Sequence, residues 1–204
     1  EITSSIIGQT GSSDFVNTYD PNNATSSLMA TKTLNGSSKG LEAGAFTFQI
    51  KSISAPQGST ANLPTGVTSG DDATVGTVTN DTDGVISFGQ FSFDAEGEYR
   101  YQVTEINEGK GGYSYDGAIY TVVFTVSDDP ETGSLVATPT IYQGKDTTGA
   151  IVDAITFANG YQPASVTTPT NATFSGTKSV TEEHGGFTLE AGQFSFTMTS
   201  TSAP

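Results

Sequence analysis

Three polar residues lie in segments that are otherwise apolar and strand-like: Lys32, Glu105 and Asn159. A buried lysine tends to lose its proton because burial disfavours the charged form, and the neutral amine is a nucleophile. A buried glutamic acid can stay protonated, hydrogen-bond the carbonyl oxygen of an asparagine and shuttle protons. Attack of the amine on that carboxamide would expel ammonia and leave a Lys–Asn isopeptide bond. The reaction happens once per molecule, so the sequence predicts self-modification and not a turnover enzyme.

Each of these residues also has a simpler interpretation. Lys32 could be a solvated edge-strand lysine that discourages aggregation. Lys39 is a rival amine, although the Gly- and Ser-rich turn around it favours exposure. Glu105 could be an exposed strand end, and Asn159 could be a turn residue, because Asn-Gly is a strong turn dipeptide. The choice between these interpretations depends on which strands carry the three residues.

The strands that must position these residues are predicted from alternating apolar and polar positions. They fall at 27–34, 45–50, 84–88, 90–93, 98–105, 118–127, 135–142 and 154–161. Residues 54–84 are rich in Gly, Pro, Asp and Asn, and we interpret them as a long excursion with at most a weak strand near 74–79. No segment has a convincing helical period, so the sequence predicts an all-β fold, an antiparallel Greek-key β-sandwich of the Ig-like kind. If its first and last strands are adjacent, Lys32 and Asn159 face each other inside it.

Internal repeats are the strongest signal in the chain. Three segments recur at an offset of 148 residues: Leu41–Phe48 as Leu189–Phe196, Ser52–Pro56 as Ser200–Pro204, and Asn23–Thr25 as Asn171–Thr173. A fourth motif, Phe-x-Asn-x-Tyr-x-Pro, occurs at 15–21 and again at 157–163. A period of this length is far longer than a solenoid repeat, so each unit is expected to be a whole domain.

The repeats predict three parts of the chain. Residues 1–21 are interpreted as the C-terminal strands of a preceding repeat, 24–163 as one complete β-sandwich repeat, and 164–204 as a linker and the opening strands of a following repeat. Asn17 and Lys178 are then halves of neighbouring sites. We expect these partial repeats to be completed by a longer chain or by neighbouring molecules, because isolated strands expose unpaired edges.

Composition and charge exclude several classes of function. The net charge of −15 argues against binding to nucleic acid and to anionic membrane surfaces. The chain has no cysteine, which rules out disulfides and thiolate metal sites. No apolar segment of bilayer length is visible, and no phosphate loop or dinucleotide fingerprint occurs. The sequence therefore predicts no cofactor, no metal and no membrane insertion.

The ordered motifs resemble the isopeptide-linkage domain of Gram-positive pilins and large surface adhesins. The matching segments, in the order of that family, are Thr31–Leu34, Phe46–Phe48, Tyr99–Glu105, Tyr113–Asp116 with Tyr120–Val122, and Phe157–Asn159. The resemblance implies that Lys32 in the first strand is bonded to Asn159 in the last strand, with Glu105 as the catalyst. A sortase sorting signal and the lysine motif of a polymerising pilin subunit are both missing. The resemblance therefore favours a stalk or repeat domain over a pilin backbone.

Two functions follow as expectations. The first is a structural stalk domain of a bacterial surface adhesin or fibre, extracellular and attached to the cell wall through regions outside this sequence, with neighbouring repeats as its partners. The alternative is a binding module that recognises a host protein or glycan through the long loop at 54–84, since long loops often carry function. The tandem repeats favour the first, because copies in series give reach.

Overall fold

The computed structural model describes residues 2–7, 14–36, 40–163, 175–181, 185–186 and 188–199. The chain divides into two compact units, residues 1–164 and residues 165–204. All thirteen strands in the described residues belong to the first unit. Residues 164–174, at the start of the predicted linker and opening strands, lie outside the described residues, as do the copies at Asn171–Thr173 and Ser200–Pro204.

Residues 24–161 form a sandwich of two sheets, and a separate hairpin precedes it. The hairpin consists of β1 (Ile2–Ile7) and β2 (Asp14–Tyr19). The sandwich strands are β3 (Ala24–Asn35), β4 (Thr47–Ser54), β5 (Thr68–Ser69), β6 (Val75–Thr79), β7 (Val85–Phe93), β8 (Gly97–Glu105), β9 (Tyr113–Ser114), β10 (Ile119–Asp129), β11 (Ser134–Gln143), β12 (Ala150–Val152) and β13 (Ile155–Tyr161). The larger sheet has the order β12-β11-β10-β8-β4-β6-β5, and the smaller sheet has the order β7-β3-β13-β9. The predicted all-β sandwich is confirmed.

The first and last strands of the sandwich are neighbours, and they run parallel. β13 pairs with β3 from Ile155 opposite Ala30 to Gly160 opposite Asn35. All the other strand pairs in the described residues are antiparallel. The predicted antiparallel sandwich therefore holds for every described strand pair except this one. The chain leaves the smaller sheet after β3 and passes through the larger sheet before β13. It can therefore add β13 beside β3 in either orientation.

The core lies between the two sheets and is dominated by aromatic rings. Inward positions alternate along the strands, as in β3, where Leu28, Ala30 and Lys32 are buried and their neighbours are exposed. The fully buried aromatic side chains include Phe48, Phe88, Phe91, Phe93, Tyr99, Tyr101, Phe124 and Phe157. Such rings supply most of the apolar area removed from water, which is the main favourable term in folding. Polar side chains inside this core therefore require a specific explanation.

Residues 54–84 are more ordered than the sequence predicted. β5 and β6 extend the larger sheet from β4, and Ala61 is buried in the core. Gly66 lies so close to the backbone of Gly89 that a Cβ at either position would collide with the other residue. Gly89 has a positive φ of 86° at a bulge in β7, so the two strands predicted at 84–88 and 90–93 are one strand. Recognition of a host ligand by this segment stays a prediction.

The second unit contains no strand within its described residues, 175–181, 185–186 and 188–199. In the repeat, Phe194 and Phe196 correspond to Phe46 and Phe48. Phe194 is 45% exposed and Phe196 is 77% exposed, whereas Phe46 and Phe48 are buried. The predicted opening strands at 164–204 are therefore not seen in the described part of the unit. A strand needs partners to form, and the partner strands of Phe46 and Phe48 come from more distant sequence.

Candidate functional site

Lys32 is held inside the sandwich by the regular alternation of β3 and by a tight turn beside it. Its backbone N–H donates to the carbonyl of Gly84 at 2.7 Å. Gly84 has a φ of 82°, and a Cβ there would collide with the backbone carbonyl oxygen of Lys32. The carboxylate of Asp81 closes the turn by accepting the N–H groups of Asp83 and Val85 at 2.9 and 2.7 Å. The Lys32 side chain has no exposed surface.

Glu105 comes from the opposite sheet. It is the last residue of β8 and lies opposite Phe48 of β4, on the face where Tyr101 and Val103 point inward. Its side chain is also fully buried. Oε1 lies 2.8 Å from Nζ of Lys32. The contact lacks the direction of a hydrogen bond, so Nζ has no hydrogen-bond acceptor among the described residues.

Asn159 completes the site from β13, the strand beside Lys32. It lies opposite Leu34 in the parallel register and is fully buried. Its Nδ2 donates to Oε1 of Glu105 at 2.7 Å. The same carboxyl oxygen therefore touches both the amine of Lys32 and the amide nitrogen of Asn159. The structure brings together all three residues that the sequence singled out, and it excludes the solvated and turn interpretations of Lys32 and Asn159.

The surroundings of the amine are apolar and aromatic. Nζ of Lys32 lies 4.6 Å from the ring centroid of Phe46 and 5.9 Å from that of Phe48. Phe46 packs edge-on against Tyr113 and Tyr115. Burial lowers the pKa of Lys32, and the contact with Glu105 and the charge of Asp116 oppose that effect without reversing it. A lowered pKa increases the fraction of neutral, nucleophilic amine.

Asp116 also contacts the site, and the sequence analysis assigned it no role. Its backbone N–H donates to Oδ1 of Asn159 at 2.7 Å and lies 3.2 Å from Oε2 of Glu105. A backbone N–H can only be met by an acceptor, so this contact fixes which end of the carboxamide is oxygen. The available signal was the Asp116-Gly117 pair just before β10, since aspartate commonly orders a turn through its own carboxylate.

The hydrogen bonding of Glu105 differs from the sequence-based expectation. We expected Glu105 to bond the carbonyl oxygen of Asn159, and that expectation is wrong. The oxygen is occupied by the N–H of Asp116, and Glu105 contacts the nitrogen. This arrangement places the carboxyl group between the nucleophile and the leaving group of an acyl transfer.

The predicted half-sites lie in different surroundings. Asn17 is exposed in β2, where it pairs with Ser4 of β1. Lys178 is exposed outside any strand, with its Nζ 5.0 Å from the ring centroid of Phe194. Lys39, the rival amine, lies outside the described residues. Another lysine near the site, Lys110, touches the same Phe46 ring at 5.9 Å but is partly exposed and pairs with Glu108 at 2.6 Å.

The described residues contain no cluster of three or more His, Asp and Glu side chains able to hold a metal ion. The same part of the chain holds no helix with the length and apolarity needed to cross a bilayer.

Comparison with known families agrees with the geometry. Residues 28–162, about two thirds of the chain, match the family model described as FctA: Spy0128-like isopeptide containing domain. The chain belongs to this family. The match begins four residues before Lys32 and ends three residues after Asn159, so the isopeptide-containing domain includes every residue of the site.

Solved major pilins are among the structures to which the chain is similar. The chain is 23% identical to the major pilin from Streptococcus pyogenes over 70% of this chain and 51% of the pilin, with a TM-score of 0.39. It is 22% identical to a major pilin protein from a particular Streptococcus pyogenes serotype, over 70% of this chain and 54% of that one, with a TM-score of 0.42. The chain thus covers about half the length of the solved pilins it matches. No match was found among curated proteins.

Proposed function

We propose that residues 24–163 are a structural stalk domain of a bacterial surface adhesin or fibre, stabilised by an autocatalytic isopeptide bond between Lys32 and Asn159. The observation that carries the proposal is the position of Glu105 Oε1, 2.8 Å from the lysine Nζ and 2.7 Å from the asparagine Nδ2. All three side chains are buried. Buried polar groups of this kind are costly to maintain for stability alone.

The geometry supports a simple acyl transfer. The neutral amine of Lys32 adds to Cγ of Asn159, and the carboxyl group of Glu105 takes the proton that the amine loses. Glu105 then gives that proton to Nδ2, the Cγ–Nδ2 bond breaks and ammonia leaves. One N–C bond forms and one breaks, so neither an oxidant nor a cofactor is needed. Because Oε1 already lies 2.8 Å from Nζ and 2.7 Å from Nδ2, the proton transfers need only a reorientation of the amine.

The strand arrangement supports a load-bearing role. The chain enters the sandwich at the start of β3 and leaves at the end of β13, and these two strands are parallel neighbours. Tension applied to the two ends therefore shears β3 along β13. A covalent bond between Lys32 and Asn159 would carry this load directly and bypass the 126 residues between them.

A place in a surface fibre is supported by family membership and by the internal repeats. The partners we propose are neighbouring repeats of the same chain or filament, joined in series. Cell-wall attachment would come from regions outside this sequence. The high negative charge favours solubility of such a fibre in the extracellular medium.

Single-molecule pulling on residues 24–163 tests the proposal. With the bond in place, the wild-type domain should show no unfolding extension from the residues between Lys32 and Asn159. Lys32→Ala should release them, which adds roughly 400 Å of contour at about 3.3–3.6 Å per residue. Lys51→Ala serves as the matched control, because Lys51 is exposed on β4. A wild-type domain that extends as far as Lys32→Ala would refute the load-bearing role.

A further inference from the structure

We infer that Asp116 is a positioning residue for the crosslinking reaction. Its carboxylate holds its own backbone N–H against the carboxamide oxygen of Asn159, where the N–H acts as an oxyanion donor. This inference rests on the proposed function and names a component of the same site. Its evidence is a set of four hydrogen bonds. Two join the loop at Asp116 to β13, one orders the loop itself, and one joins Asn159 to Glu105.

The first part of the evidence concerns the free side of β13. On one side this strand pairs with β3 from Ile155 to Gly160, but on the other side β9 reaches only Gly160 and Tyr161. The N–H of Ala158 has its partner in Oδ2 of Asp116, at 2.8 Å. The carboxylate thus takes the place of a missing strand next to Asn159.

The second oxygen fixes the loop itself. Oδ1 of Asp116 accepts the N–H of Ala118 at 2.8 Å. One carboxylate therefore joins β13 to the turn that leads into β10. With both oxygens engaged, the peptide group in front of Asp116 has a defined orientation relative to Asn159.

The consequence of that orientation is a donor at the reacting carbonyl. The N–H of Asp116 lies 2.7 Å from Oδ1 of Asn159, so it already donates to the atom on which an oxyanion would develop. When the lysine amine adds to Cγ, negative charge develops on this oxygen, and the site excludes water. A donor fixed before the reaction stabilises that charge without reorganisation.

The same contact selects the productive orientation of the carboxamide. Because Oδ1 is held by the N–H of Asp116, Nδ2 is directed to Oε1 of Glu105. The group that must leave as ammonia therefore faces the group that protonates it. In the reversed orientation, an NH₂ group would face the backbone N–H, which offers it no acceptor.

The test compares crosslinking in Asp116→Ala, Asp116→Asn and a control, Asp129→Ala. Asp129 also uses both carboxylate oxygens to order a turn, accepting from Glu131 N at 3.1 Å and Thr132 Oγ1 at 3.0 Å, but it lies at the far end of β10. Intact mass is followed after purification, and crosslinked chains are lighter by one ammonia. Circular dichroism confirms that each variant is folded, so that the rate refers to folded protein.

Asp116→Ala is expected to slow crosslinking by about 10- to 100-fold, somewhat less than the loss of an oxyanion donor itself, because the N–H remains but is no longer held in place. Asp116→Asn keeps one acceptor oxygen and should recover part of the rate, and Asp129→Ala should react like the wild type. If Asp116→Ala does not fold, Asp116→Asn decides the matter by its rate.

Two outcomes overturn the inference. One is a folded Asp116 variant that crosslinks as fast as the wild type; the other is equal slowing by Asp129→Ala, which would indicate a general effect of turn stability. Failure of the proposed function is distinguishable from both, because the wild-type chain itself would then show the unmodified mass.

Discussion

The motif Phe-x-Asn-x-Tyr occurs twice in this chain, and its two copies have different surroundings. In β13, Asn159 is fully buried and contacts Glu105 and Asp116. In β2, Asn17 is exposed, and among the described residues its strand pairs only with β1. The motif alone therefore does not create the site. What differs is the set of strands around it.

Lys32 and Lys178, the two copies of the lysine, also differ in their surroundings. Lys32 and Lys178 each lie over the ring of a corresponding phenylalanine, at 4.6 Å from Phe46 and 5.0 Å from Phe194. Lys32 is buried and lies close to a carboxylate, whereas Lys178 is exposed. The lysine–aromatic contact comes from nearby sequence, whereas the carboxylate and the burial come from β8 in the other sheet. The burial of Lys32 and its contact with a carboxylate thus depend on residues that are distant in sequence.

The largest effect expected from this comparison is on stability. Asn159→Ala should prevent the crosslink between two residues that have 126 residues between them. By analogy with disulfides, a closed loop of that length stabilises a fold by about 4–5 kcal/mol through the unfolded state. Urea unfolding of Asn159→Ala and the wild type measures the difference.

Asn17→Ala is the matched control, since it removes the same residue from the other copy of the motif. It should leave the unfolding free energy unchanged within error, because Asn17 is exposed. If Asn159→Ala and Asn17→Ala lower the unfolding free energy equally, the two copies of the motif do not differ in their contribution to stability.

The second effect is on the reaction itself. Glu105→Gln should leave the three strands in place but remove the proton carrier. We expect crosslinking to slow by about 10²- to 10⁴-fold, the usual contribution of general acid–base catalysis. Intact mass measured over time checks this.

Glu108→Gln is the control for that experiment. Glu108 lies three residues further along and binds Thr47 and the exposed Lys110. It should crosslink at the wild-type rate. Rapid crosslinking by Glu105→Gln would assign the proton transfer to another group.

The smallest effect is a pH dependence of stability in the unlinked protein. In Asn159→Ala, Lys32 keeps its amine, and burial lowers its pKa in the folded state below the ordinary value of about 10.5. The unfolded state then binds more protons between the two pKa values, so the unfolding free energy should rise as pH rises through this window. Below the folded pKa the charged amine is buried, and its cost is fully present.

The crosslinked wild type is the reference for this pH dependence of the unfolding free energy. Its Lys32 nitrogen is an amide, which does not titrate between the two pKa values. Urea unfolding at a series of pH values up to about 10.5 compares the two proteins. If the unfolding free energy depends on pH equally in the two proteins, Lys32 does not titrate in Asn159→Ala as we expect.

Much of this site could be predicted from sequence because its residues interrupt clear patterns. Lys32, Glu105 and Asn159 occupy inward positions in strands whose alternation is unambiguous, so a polar residue there is noticeable. The bounds of β3, β8 and β10 were predicted to within three residues at each end.

The remainder depends on contacts that have no local sequence pattern. The parallel pairing of β3 with β13 follows from the path of the whole chain, and the continuity of β7 through Gly89 depends on its approach to Gly66. The N–H of Asp116 is a backbone group, which every non-proline residue possesses. Its role is visible only once the loop is placed beside Asn159.

Intact mass spectrometry of the wild-type chain tests the central claim most directly. We predict a mass lower than the sequence mass by one ammonia, and a protease digest in which the peptide containing Lys32 is joined to the peptide containing Asn159. An unmodified mass, with Lys32 recovered in a linear peptide, would contradict the account.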